Sequence, residues 1–267
     1  VEFTGQSAHA SADPWNARSA SDALELYTNG INYYREHVQP SVRIHYHIQD
    51  AGQVVNVVPD YSRIWVRVRD ITREGLVPVY DQVKKMAGGA AIMANVDHNV
   101  SLISGIHDLL PNRTGGAAMQ KNLENLGDII YTQEEIDFAI QMQKENGKPI
   151  IGIDGKIRPL RETLESPGGG STDVGDVSYN VPVVSLAATT APKGVPWHSW
   201  SVVASSGMSI GHKGMLHATK ALGMTMIDIF KDKKLREEIK KEFDERMGNY
   251  KYDPFLNPGP PPIDYVD

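Results

Sequence analysis

The chain has 267 residues, and its 40% hydrophobic and 22% charged residues are typical of a globular protein with a buried core. A formal net charge of −6 leaves no broad basic field for a phosphate backbone, which argues against a nucleic-acid-binding protein. The lack of cysteine excludes disulfides and thiolate metal ligands, and no apolar run is long enough for a membrane span.

The first part of the chain predicts six elements of secondary structure. The pattern of Val1-Glu2-Phe3-Thr4 predicts a strand from the first residue, and that residue is not an initiator methionine. We therefore expect a fragment of a longer protein. Asp13-Pro14 is typical of a helix start, with Asp13 as the N-cap. The six elements are a strand at 1–8, a helix from Pro14 that stops at Pro40, a strand at 42–48, extended chain at 54–71, a helix near 73–94 and a strand at 98–106.

The order strand, helix, strand, strand, helix, strand predicts a ferredoxin-like split βαβ domain. Such a domain has a four-stranded antiparallel sheet with two helices on one face. We assign residues 2–112 to it. The Gly115-Gly116 pair is a plausible hinge into a second region, residues 113–267.

The second region predicts helices and a single strand. The helices lie near 116–126, 133–146, 209–230 and 232–247, and the apolar strand is at 181–186. One strand cannot form a parallel sheet, so this region is expected to be the C-terminal part of an α/β domain that other residues complete.

A histidine near the start of the chain is the first candidate for chemistry. His9 follows the first predicted strand, within Gly5-Gln6-Ser7-Ala8-His9-Ala10. The small neighbours would let a substrate approach the imidazole, which can donate a proton or polarise a carbonyl. Taken alone, a histidine at such a position is more often structural.

Asn56 and Arg69 are candidate ligands for a carboxylate. Asn56 lies in Asn56-Val57-Val58-Pro59-Asp60, and Arg69 lies on the strand that follows, on the same face as Arg67. Arginine can bind a carboxylate through its bidentate fork. An asparagine at a strand turn can equally be turn chemistry.

A glycine-rich loop supplies two more candidates, Ser171 and Asp173. It reads Pro167-Gly168-Gly169-Gly170-Ser171-Thr172-Asp173 and fits neither a Walker A loop nor a dinucleotide fingerprint. The loop can allow close backbone approach to a bound group, with its polar side chains steadying a site. Alternatively, Ser171 or Thr172 caps a helix.

His198 is the candidate metal ligand, in a loop after the predicted apolar strand. Imidazole is a common ligand for zinc and manganese, but one histidine cannot build a site that needs three or four protein ligands. Two other histidine pairs, His45 with His47 and His212 with His217, are interpreted as structural.

Together these features resemble the M20 family of metallopeptidases and amidohydrolases over nearly the whole chain. The motif around His9 resembles the start of that family's lid, or dimerisation, domain, and Asn56 and Arg69 match its substrate-gripping turn and following strand. Gly170-Ser171-Thr172-Asp173 resembles a Gly-Ser-Glu-Asp stretch, with Thr172 in place of the usual acid, and His198 matches the last metal ligand.

The resemblance implies an α/β fold with an α+β lid. It also implies a cytoplasmic, homodimeric hydrolase that cleaves an amide bond to an amino acid such as glutamate. The substrate would be aminobenzoyl-glutamate-like or dipeptide-like. The resemblance implies two divalent metal ions, zinc or manganese. His9 would stabilise the oxyanion, Asn56, Arg69, Ser171 and Asp173 would bind substrate, and His198 would bind metal. The other ligands would lie outside this chain, which would itself be inactive.

An alternative belongs to a different class of protein. A ferredoxin-like domain can dimerise through its sheet while the helical region docks a partner, without catalysis. Further metal-ligand motifs in a longer parent protein would favour the enzyme, whereas translation starting at Val1 would favour the binding module.

Overall fold

The computed structural model describes residues 1–160, 170–256 and 258–260. Of these, residues 1–108, 170–176, 253–256 and 258–260 form one compact unit, and residues 109–160 and 177–252 form a second. The division of the chain into domains 2–112 and 113–267 stays a prediction.

The first unit contains a four-stranded antiparallel sheet and two long helices. The strands are β1 (Glu2–Thr4), β2 (Arg43–Asp50), β3 (Tyr61–Arg69) and β4 (Asp97–Asn99), in the spatial order β2-β3-β1-β4. The helices are α1 (Ala20–Tyr34) and α2 (Arg73–Ala94). This is the split βαβ topology that the sequence predicts, and the α/β class with an α+β first domain is confirmed.

The core of this unit lies between one face of the sheet and the helices. Side chains alternate across a strand, so Ile44 and Ile64 are buried while their neighbours point outwards. Phe3 is fully buried, with its ring centroid 5.9 Å from that of Tyr27 on α1 in an edge-to-face pair. The Ser62 hydroxyl donates to the Ala20 carbonyl at 2.8 Å, which ties β3 to the start of α1.

The first helix begins later than the sequence predicts. Pro14–Asn16 form a short 3₁₀ helix without a side-chain cap from Asp13, and Ser19 is the N-cap of α1, accepting from the Asp22 N–H at 3.1 Å. Arg18 exchanges two backbone hydrogen bonds with Gln6, of 2.8 and 3.0 Å. This pairing holds the chain extended up to Ser19, so the helix cannot start at Pro14.

The second unit is helical in its described residues. Its helices are α3 (Arg113–Leu126), α4 (Gln133–Glu145), α6 (Trp200–Ser206), α7 (Ser209–Lys231) and α8 (Lys233–Met247), and the short α5 (Val174–Ser178) spans the boundary of the two units. The strand predicted at 181–186 is not formed. Val184, in this segment, instead packs against α3 at Gly115. A Cβ atom added to Gly115 would lie only 2.3 Å from the Cγ2 atom of Val184.

None of the helices in the described residues is long and apolar enough to span a membrane.

Candidate functional site

The structure brings His9 and Asn56 together in the first unit. Beyond β1, the chain makes an isolated antiparallel bridge between His9 and Val57 in the loop that joins β2 to β3. The Ala10 N–H donates to the Asn56 carbonyl at 3.0 Å, and the Val58 N–H donates to the Ala8 carbonyl at 3.0 Å. Two segments about fifty residues apart in the sequence therefore form one local structure.

The ring of His9 is held in a defined tautomer. Its Nδ1 atom accepts hydrogen bonds from the backbone N–H groups of Ser11, at 3.3 Å, and Ala12, at 3.2 Å. A backbone N–H can only donate, so Nδ1 carries no proton and the neutral ring carries its hydrogen on Nε2. The His9 side chain is exposed, and it can donate this hydrogen to an oxygen atom of a ligand.

Arg69 lies at the other end of β3. At the start of β3, Tyr61 pairs with Thr4, and the bridge between His9 and Val57 lies beyond this end of the strand. At the other end of β3, Arg69 pairs with Arg43. Eight residue intervals along β3 separate Tyr61 from Arg69 by about 26 Å. In this conformation a single carboxylate cannot contact both Asn56 and Arg69 of one chain.

Ser171 and Asp173 lie at the start of α5 and are exposed. The Thr172 hydroxyl accepts from the Val174 N–H at 3.2 Å, and the Asp173 carbonyl accepts from the Asp176 N–H at 3.0 Å. The Thr172 hydroxyl thus forms a local turn with the backbone just before α5. Pro167, Gly168 and Gly169 of the same loop lie outside the described residues.

A buried histidine network in the first unit was not predicted. The side chain of His107 is 1% exposed, and its Nδ1 atom lies 2.8 Å from a carboxylate oxygen of Asp176. A guanidinium nitrogen of Arg73 lies 2.5 Å from Nε2. Because the guanidinium can only donate, Nε2 accepts and the Nδ1 hydrogen goes to Asp176. The three residues are far apart in sequence, so no local motif marks them.

His198 is exposed in the second unit and has an unusual backbone conformation. It precedes Ser199, the N-cap of α6, and has a φ angle of 60°, in the left-handed region that few residues other than glycine adopt. Within the described ranges, no group of three or more His, Asp or Glu side chains could hold a metal ion. The described residues therefore do not form a metal site around His198, since zinc needs three or four protein ligands.

Comparison with known proteins gives two informative relatives, although no family model matches the chain. The chain is 34% identical over 265 residues to one of the subunits of p-aminobenzoyl-glutamate hydrolase from Escherichia coli (strain K12), covering 90% of this chain and 55% of that protein. It is 25% identical over 246 residues to the human Xaa-Arg dipeptidase, covering 91% of this chain and 49% of that protein.

The chain thus spans about half the length of the curated relatives that it matches. Among solved structures, the aminobenzoyl-glutamate utilization protein from Klebsiella pneumoniae is 19% identical with a TM-score of 0.40, covering 46% of this chain and 31% of that one. The two sequence relatives confirm that the chain is related to the M20 family of metallopeptidases and amidohydrolases.

Proposed function

We propose that the protein carrying this chain is a metal-dependent amidohydrolase or peptidase that cleaves an amide bond to an amino acid such as glutamate. The names of the two sequence relatives, a hydrolase of p-aminobenzoyl-glutamate and a dipeptidase, support this reaction class. The structural observation that carries the proposal is the fixed, exposed imidazole of His9 beside the Asn56 loop.

His9 would act on the carbonyl oxygen of the scissile amide. Attack by water on the amide carbon places negative charge on that oxygen, and a donor that is already oriented stabilises it without reorganisation. The backbone N–H groups of Ser11 and Ala12 leave Nε2 as the hydrogen-bearing atom of the neutral ring. This atom would donate to the oxyanion.

Asn56 would bind the carboxylate of the amino-acid half of the substrate through its side-chain amide. Its backbone carbonyl is bonded to the Ala10 N–H, so the residue is anchored next to His9. Arg69 also stays a proposed substrate-binding residue. Because it lies at the other end of β3, it would bind a different group from the carboxylate that Asn56 holds. Ser171 and Asp173 remain proposed substrate-binding residues at the start of α5.

The proposal includes two divalent ions, zinc or manganese, with His198 as one ligand. Such ions activate a bound water by lowering its pKa. The described residues other than His198 supply no further ligand set, so the contribution of this chain would be substrate binding and oxyanion stabilisation.

We also propose that the protein is a homodimer that pairs through the first unit. In the described part of the chain, β2 and β4 are the edge strands of the sheet, and an edge strand can pair with a strand of another copy. A twofold dimer is the commonest arrangement for such a self-complementary contact.

The test is hydrolysis of p-aminobenzoyl-glutamate by the complete protein, measured as release of glutamate, whose α-amino group becomes free when the amide is cleaved. The His9→Ala variant is expected to lose at least about 100-fold in kcat with little change in KM, because the lost donor acts mainly in the transition state. His37→Ala removes another exposed imidazole of the same unit and should retain wild-type activity. Equal activity of His9→Ala and wild type would refute the role of His9, and a wild-type protein that hydrolyses no amide would favour the non-catalytic binding module.

A further inference from the structure

The buried residue His107 holds the start of α5 within the first unit. Its ring Nδ1–H donates to one carboxylate oxygen of Asp176 at 2.8 Å, and its backbone N–H donates to the other at 3.4 Å. Gly175 is buried against the same residue, because a Cβ atom added to Gly175 would overlap the His107 carbonyl oxygen. One residue therefore fixes both the backbone and a carboxylate at this point of the chain.

The exposed segment Ser171–Asp173 leads directly into this anchored point. The Gly175 N–H donates to the Thr172 carbonyl at 3.2 Å, and the Asp176 N–H donates to the Asp173 carbonyl at 3.0 Å. These two backbone bonds tie the segment to the residues that the imidazole holds. Because all three residues of the segment are exposed, their side chains are not fixed by packing in the core.

Arg73 holds the imidazole from its other nitrogen. The Nη1 atom of Arg73 lies 2.5 Å from Nε2 of His107 and also donates to the backbone carbonyl of Asp253, so both of its hydrogens are used. The Nη2 atom lies 3.0 Å from the Asp253 carboxylate. The guanidinium is planar and cannot turn without breaking one of these bonds, so it fixes the orientation of the imidazole.

The C-terminal segment Asp253–Phe255 packs on this arginine. The Phe255 ring centroid lies 4.1 Å from the guanidinium carbon of Arg73, in a cation–π contact, and 5.7 Å from the ring centroid of His107, in an edge-to-face contact. The segment fits because residue 105 is glycine. A Cβ atom at Gly105 would lie only 2.5 Å from the Phe255 Cβ atom.

We propose that His107 is a positioning residue for the segment Ser171–Asp173, and that Arg73 and the C-terminal segment orient His107. This rests on the proposed function in one respect, which is that Ser171 and Asp173 bind substrate. A binding group contributes more affinity when its place is fixed beforehand, because ordering a mobile group on binding costs free energy. Loss of the imidazole would therefore weaken substrate binding and leave the chemical step unchanged.

The first measurement is hydrogen exchange by NMR on the full 267-residue chain, which requires no activity. In His107→Leu the amides of Gly175 and Asp176 should exchange about tenfold faster or more, because their bonds to the segment open more often. His107→Asn keeps a donor near the place of Nδ1 and should stay within about threefold of wild type. The Ile64 amide on β3 should be unaffected in both variants, which verifies that they are folded. Unchanged exchange of Gly175 and Asp176 in His107→Leu would overturn the proposal.

Gly105→Ala tests the C-terminal segment without altering the imidazole. The added methyl group should displace Phe255, so the amides of Gly175 and Asp176 should exchange about threefold faster or more. Gly89→Ala on α2 is the matched control, because a Cβ atom at Gly89 meets no atom within 4 Å, and it should leave the exchange unchanged. Equal exchange in the two glycine variants would refute the role of the C-terminal segment.

The second measurement is the kinetics of p-aminobenzoyl-glutamate hydrolysis by the complete protein. His107→Leu should raise KM about tenfold or more with kcat within about threefold of wild type, as expected when the substrate and the transition state lose the same binding contact. His107→Asn should keep KM within about threefold of wild type, because its donor still reaches Asp176. The control His37→Leu should change neither constant.

The two measurements separate this proposal from the proposed function. Faster amide exchange in His107→Leu with an unchanged KM would overturn the proposal, because the segment would then be positioned without binding substrate. A wild-type protein that hydrolyses no amide would refute the proposed function, and with it the substrate role of the segment. The exchange measurement would still decide whether His107 positions the segment.

Discussion

Gln143 on α4 is a fully buried amide that joins two backbone segments of the second unit. Its side-chain nitrogen donates to the carbonyls of Gly152, at 2.8 Å, and Lys193, at 2.9 Å. Its side-chain oxygen accepts from the N–H groups of Ile151, at 3.0 Å, and Gly152, at 2.9 Å. All the hydrogen-bonding capacity of the amide is used, so the residue holds together loops that have no regular structure.

Replacing Gln143 by leucine should destabilise the second unit substantially. The change keeps the volume but removes four hydrogen bonds to partly buried backbone groups. Each such bond contributes about 0.5–1.5 kcal/mol, so we expect a total loss of about 2–6 kcal/mol. Thermal unfolding followed by circular dichroism measures the loss. Gln133→Leu on the same helix, where the glutamine is exposed, is the control and should change the melting temperature little. Equal melting temperatures for the two variants would contradict the role of Gln143.

At single residues, the sequence indicates candidates but not their surroundings. The motifs around His9 and Asn56 mark both as candidates, whereas their backbone pairing depends on the β2–β3 loop folding back on the segment after β1. The network of His107 with Arg73 and Asp176 was missed because only the tertiary structure brings these residues together.

At the scale of elements, Glu242 on α8 caps the N-terminus of α3. Its carboxylate accepts from the backbone N–H groups of Arg113, at 2.9 Å, and Thr114, at 2.7 Å, and from the Thr114 hydroxyl at 2.7 Å. Burial would raise the pKa of Glu242, but these hydrogen bonds and the one from Arg246 outweigh it and lower the pKa to about 2. The first turn of a helix is where a negative charge is most stabilising.

The lowered pKa predicts a pH-dependent contribution to stability. The folded pKa, about 2, lies below the ordinary value of 4.5, so the contribution is complete above pH 4.5 and is lost as pH falls towards 2. A shift of this size corresponds to about 3 kcal/mol. Glu242→Gln should therefore lower the stability at pH 7 by up to about that amount, and the difference from wild type should shrink between pH 4.5 and 2.

Urea unfolding at a series of pH values measures this effect. Glu238→Gln, an exposed position on the same helix, should leave the stability within about 0.5 kcal/mol of wild type at every pH. A difference between Glu242→Gln and wild type that stays constant down to pH 2 would contradict the account of the cap.

Apart from α1 and the short α6, the long helices are predicted closely because their ends carry local signals. The helix expected near 73–94 is α2, Arg73–Ala94, with Thr72 as N-cap and Asn95 in the left-handed conformation at its C-terminus. Strands were predicted less well because pairing decides where they end. β1 and β4 are three residues each, and the apolar segment 181–186 has no strand partner among the described residues of the second unit.

At the scale of the whole molecule, the two units carry different parts of the proposed chemistry. His9 and Asn56 lie in the first unit and His198 lies in the second. The dimerising lid implied by the family resemblance suggests that a lid histidine completes the site of the partner subunit. We therefore propose that His9 acts in trans.

The most direct test mixes two inactive variants of the complete protein, His9→Ala and His198→Ala, by refolding them together. If His9 acts in trans, each mixed dimer has one intact site, made of His198 from one chain and His9 from the other. Random pairing makes about half of the dimers mixed, so amide hydrolysis should recover to roughly a quarter of wild type. No recovery, with mixed dimers verified by native mass spectrometry, would contradict the account.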